Sequence, residues 1–110
     1  MKIGENTIND ITVCAVEGEI NLNTSPDLRK AFDGFLGNQA KKVVIDFSQV
    51  PYIDSSGLAT LIELFQRLKK ISGKLRICSV SEKVMSVFEI TKLHKLFDIY
   101  DNQDQAMEDF

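Results

Sequence analysis

Histidine occurs once in this chain, cysteine twice and tryptophan not at all. His94, Cys14 and Cys78 show none of the spacings that hold a transition metal, so no metal site is expected. Both cysteines fall in strand-like apolar runs, ITVCAV and LRICSV, and read as buried reduced thiols rather than a disulfide framework. No apolar run reaches the ~20 residues that cross a bilayer. The opening MKIGENTIND carries no apolar signal segment. These two absences point to the cytosol and to no direct membrane binding. Basic residues do not predominate either: thirteen Lys and Arg stand against sixteen Asp and Glu, a net charge of -3. With no basic stripe to follow a phosphate backbone, no nucleic-acid partner is expected. There is no glycine-rich loop of the Walker or dinucleotide kind, and no cofactor is implied.

A chain of 110 residues with no internal repeat, linker or low-complexity stretch is expected to form one domain over 1–110. Residues 2–8 make a polar strand candidate and 11–18 a better one, joined by a tight turn at Ile8-Asn9-Asp10. Thr24 or Ser25 can cap a helix with Pro26 at its first position, and Leu28, Phe32, Phe35 and Leu36 recur at helical spacing. Gly37-Asn38 ends it. KKVVIDF, 41–47, is a continuous apolar run of the kind that helices cover. Leu58, Leu61, Ile62, Phe65 and Leu68 predict the longest helix, from Ser55 to about Ile71. KLRICSV is a further strand. Ser81 caps a third helix carrying Val84, Met85 and Phe88. LFDIY, 96–100, is a last strand, and NQDQAMEDF a terminal amphipathic helix. The order is β-β-α-β-α-β-α-β-α. Right-handed crossovers between neighbouring strands land successive helices on one face. The fold class is therefore α/β, a mostly parallel sheet of about five strands with helices mainly on one face.

The junction VPYIDSSGLATL asks for a reason. Asp54, Ser55 and Ser56 stand where the long helix begins, and a single short polar side chain is enough to cap it, at about 1 kcal/mol. Gly57 costs about 1 kcal/mol against alanine inside a helix, so something must favour a residue without a side chain, and the close approach of another backbone or protein surface would do so. The junction also lies at the carboxyl end of a strand, where parallel sheets collect functional loops. A phosphate would be stabilised by the helix N-terminus, and its dianion would repel carboxylates on a partner.

GEINLNTSPDLRKAF and VVIDFSQVPYIDSSGLATLIELFQRLKKISGKLRIC, together with the element order, resemble the bacterial anti-sigma factor antagonists of the STAS domain family. IDSSGL after VVIDFSQV is the most specific piece, and VFEITKLHKLFDIY is similar to the family's C-terminal half. The resemblance implies a STAS-like fold and a partner-switching function. The unphosphorylated form binds an anti-sigma factor that is also a serine kinase, and frees the sigma factor. Phosphorylation of Ser55 switches binding off, with Ser56 as neighbour or secondary acceptor and Asp54 and Gly57 shaping the turn. A metal-dependent serine phosphatase reverses the step. The chain departs from the family pattern at Asn21, often Asp, and at Ala59, often Gly. Partner contacts are expected from two converging loops: Glu19, Asn21, Asn23 and Thr24 in one, Tyr52, Ser56, Leu58 and Ala59 in the other.

Two other readings compete. A hydrolase would use Ser55 or Ser56 as nucleophile, but the motif is not G-x-S-x-G. The one possible base, His94, reads as an exposed polar residue of an exit loop, so the chain is not read as an enzyme. Alternatively, the domain is a STAS binding module in a signalling scaffold or transport complex, without a phosphorylation cycle, and the Ser55 hydroxyl is only a cap.

Overall fold

The computed structural model describes residues 1–110. Strands β1 (Lys2–Ile8) and β2 (Ile11–Glu17) form an antiparallel hairpin. Asn9 and Asp10 both hold positive φ, 50° and 67°, which is the two-residue turn whose twist suits a hairpin. Helix α1 (Ser25–Gly37) leads to β3 (Lys42–Gln49), α2 (Ser55–Lys70) to β4 (Lys74–Cys78), and α3 (Glu82–Ile90) to β5 (Asp98–Tyr100). A five-residue helix α4 (Gln103–Met107) follows. The sheet runs β1-β2-β3-β4-β5, parallel from β2 onward. Each strand therefore lies beside its predecessor, as expected.

Helices α1, α2 and α3 cover one face. Their stripes, including Leu28, Phe32, Leu61, Leu64, Leu68, Val84 and Phe88, meet Cys14, Val43, Ile45 and Ile77 of the sheet in the main core. Phe88 stacks at 6.1 Å from Phe47 and 6.0 Å from Phe97, tying α3 to β3 and to the start of β5. The opposite face carries a smaller cluster of Ile11, Val13, Val44 and Cys78 under Ala106 of α4. Both cysteines are buried and free.

Local chemistry accounts for most element ends and corrects several expectations. Ser81 Oγ accepts from Val84 N–H and caps α3. Thr24 precedes α1, yet its hydroxyl makes no cap bond, and Pro26 is the second helical residue rather than the first. Helix α1 ends at Gly37-Asn38 as expected, and the left-handed residue just beyond it is Gln39, φ 62°. Its N–H reaches Leu36 O, so the turn forms without glycine. The terminal helix stops at Met107, leaving Phe110 outside it. His94 is half-buried rather than exposed: it sits in a 3-10 turn, Leu93–Lys95, with Nδ1 3.3 Å from Phe88 O.

Candidate functional site

Beyond β2 and β3 the two chains stay zipped. Gly18 N–H donates to Gln49 O, Ile20 N–H to Tyr52 O, and Asp54 N–H back to Ile20 O, at 2.9–3.0 Å. Ile20 and Ile53 form an isolated parallel bridge. The loops after the two strands are thus held side by side where α2 begins.

Asp54 joins them. Its backbone is extended, and its Oδ1 accepts from Gly57 N–H at 3.1 Å, capping α2. Its Oδ2 accepts from Leu22 N–H, also at 3.1 Å, across the gap between loops. One carboxylate therefore both starts the helix and fixes the neighbouring loop, so neither serine is needed as a cap. Ser55 is the first helical residue and is exposed, with its hydroxyl in no hydrogen bond. Ser56 is half-buried, and its carbonyl accepts from Thr60 Oγ1.

Gly57 has an internal reason. A Cβ there would lie 2.6 Å from Ile20 Cγ2, 2.6 Å from Ile53 Cγ1 and 3.1 Å from Ile20 O. The zipped isoleucines press directly on the first helical turn, and only glycine admits them. The close approach comes from this chain's own loops.

The loop over 19–24 is built on Asn21. Its Oδ1 accepts from Asn23 N–H at 2.9 Å and Thr24 N–H at 3.1 Å, an Asx turn. Thr24 Oγ1 accepts from Asn21 N–H and donates to Glu19 O. Asn21 Nδ2 lies 3.5 Å from Glu19 Oε2. An aspartate at 21 could accept the same N–H groups but would set its charge against Glu19.

Most of the expected contact residues share this rim. Glu19, Asn23, Tyr52 and Ala59 are exposed, while Asn21, Thr24 and Ser56 are half-buried. Ala59 follows Ser55 by one helical turn on the same helix face. Leu58 is the exception: at 6% exposed it belongs to the core and does not reach the rim. Two residues outside the sequence expectation are also here. Leu22, 72% exposed, projects from the loop whose N–H Asp54 holds. Lys83 Nζ sits 5.1 Å from the Tyr52 ring centre, bringing the first turn of α3 to the same edge. Leu22 had a faint signal, an apolar residue inside a polar loop. Lys83 had none, because only the fold sets it beside Tyr52.

His94 lies in the connection from α3 to β5, which leads to the opposite end of the parallel strands, so it cannot serve Ser55 as a base. A hollow of about 490 Å³ is also at that far end, lined by Thr7, Asp10, Asn38 and Lys41 among others. No helix is long and apolar enough to cross a membrane.

Residues 3–106 match the family model described as the STAS domain. The Bacillus subtilis anti-sigma-B factor antagonist is 35% identical over 91 residues, 83% of this chain and 82% of that protein. A crystal structure from Thermotoga maritima, 27% identical, superposes with a TM-score of 0.92 over 96% of this chain and 92% of its own. The Bacillus cell fate determinant SpoIIAA in its phosphorylated form, 16% identical, shares the fold at a TM-score of 0.75, covering 97% of each chain.

Proposed function

The chain belongs to the STAS domain family, and from that membership we propose that it is an anti-sigma factor antagonist switched at Ser55. The unphosphorylated rim docks on an anti-sigma factor that is also a serine kinase, and so releases the sigma factor. Phosphate on Ser55 ends the docking, and a metal-dependent serine phosphatase restores it. Such a protein works in the bacterial cytoplasm and catalyses nothing itself. Relatives that are anti-sigma factor antagonists support this reading.

One observation carries the assignment of Ser55. Asp54 satisfies both the cap and the loop, which leaves the exposed Ser55 hydroxyl with no structural duty. A phosphate there adds about -1.5 to -2 charge beside Asp54. Each partner carboxylate brought within 4 Å would then cost roughly 4 kcal/mol at an effective dielectric of 20.

The test uses the native host. Wild-type, Ser55→Ala and Ser55→Asp chains are used to co-purify partners, and each chain is incubated with the recovered kinase, Mg²⁺ and ATP. The wild type is expected to gain one phosphate, mapped to Ser55. The Ala form should retain the kinase unmodified, and the Asp form should lose it. Equal recovery by all three, with no phosphate gained, would leave a binding module without the cycle.

A further inference from the structure

Arg76 is a buried cation that the rim does not use. It lies on β4 at 9% exposed and takes part in none of the three ion pairs of the molecule. Its guanidinium instead holds the end of the chain. Nη1 donates to Ala106 O at 3.1 Å and to Glu108 O at 2.6 Å, and Nη2 donates to Asp109 O at 3.2 Å. The group lies 4.3 Å from the Phe110 ring centre and 5.2 Å from that of Tyr100. Nε is buried without an acceptor.

The segment so held has little else to secure it. Helix α4 has five residues, too few to persist alone. Only Ala106 is fully buried, while Met107 and Phe110 are half-buried. Beneath it lie Ile11, Val13, Val44 and Cys78, on the face turned away from α1, α2 and α3. A guanidinium buried against carbonyls and two aromatic rings forgoes its hydration without a carboxylate counter-ion. Lifting the segment returns that hydration and so offsets much of what is lost.

We propose that residues 101–110 form a strap pinned by Arg76, which opens while the sheet and the three long helices remain folded, uncovering the apolar strip around Cys78. The second face of the sheet is therefore accessible in a minor fraction of molecules. Segments with few buried apolar contacts are the ones that open locally.

The two thiols test this without a partner. Cys78 lies under the strap and Cys14 under the long helices, both at 0% exposure. Either reacts with a thiol reagent such as DTNB only after its cover opens. In native buffer, Cys78 of the wild type is expected to label at least about tenfold faster than Cys14. Arg76→Gln should accelerate Cys78 about tenfold further and leave Cys14 unchanged, and Phe110→Ala should act in the same direction. Equal wild-type rates for the two thiols would overturn the proposal, as would variants that accelerate both alike, since opening would then be global.

Discussion

Asp54 serves two dependants with one carboxylate, and its replacement should show both. Asp54→Ala removes the α2 cap, worth about 1 kcal/mol, and the tie to Leu22 N–H, worth a similar amount. A loss of about 1–2 kcal/mol in urea unfolding is expected, with faster amide exchange at Leu22. Asp54→Asn keeps one acceptor oxygen and should lose roughly half as much. Gly57→Ala would gain about 1 kcal/mol of helix propensity. The Ile20 and Ile53 methyl carbons 2.6 Å from the new Cβ outweigh that gain, because overpacking a filled site costs about 1–3 kcal/mol. Net destabilisation is expected in urea titration; a stabilised variant would show that the isoleucines part easily. Both residues were legible as a pair, since a polar break between a continuous apolar run and one of helical period marks a strand-to-helix junction. Their division of labour was not. That Asp54 caps while Ser55 stays free depends on Leu22, thirty-two positions away in sequence.

Among the elements, β2 offers a pH test. Burial pushes the Cys14 thiol from its usual 9.0 up to about 12, and the Glu5 carboxylate opposite it on β1 adds to the rise. Cys78 rises to about 11, through burial first and then Asp46. An unfolded thiol ionises near 9.0 while the folded one stays neutral, so the unfolded chain holds fewer protons above that pH. Their contribution is complete below pH 9.0 and lost as pH climbs toward 11–12. Each thiol should steepen the fall by up to ~1.4 kcal/mol per pH unit. Cys14→Ala should flatten the fall in urea midpoint between pH 9.0 and about 11, whatever it does to stability at neutral pH. Strands and long helices were readable from periodicity because each buries one stripe or one run. The element ends were less so. Gln39, Ser72, Ser79 and Lys92 hold left-handed backbone without being glycine, and nothing local announces it. The terminal helix is shorter than its amphipathic pattern because Glu108 and Asp109 turn their carbonyls to Arg76.

For the domain as a body, the switch proposed at Ser55 would act by added charge on the rim, and charge can be screened. The Debye length falls from about 10 Å at 0.1 M salt to about 3 Å at 1 M. Binding of Ser55→Asp to the kinase should therefore recover in part as salt rises, with Ser55→Ala much less affected, in calorimetric titration at graded ionic strength. No recovery at all would mean that the aspartate excludes the partner by shape alone. The core, the topology and the convergence of two loops at the rim could be reasoned from the chain, whereas Lys83 could not, because only the folded sheet brings the first turn of α3 beside Tyr52.

The unbroken order of strands, each beside the one before it, bears on how the molecule is made. A chain emerging from the ribosome completes the hairpin first, and every later strand finds its docking edge already exposed. No segment must thread between two that are already in place. Assembly by accretion adds each strand at the edge left by the one before, which is why β5 stands at an edge of the sheet.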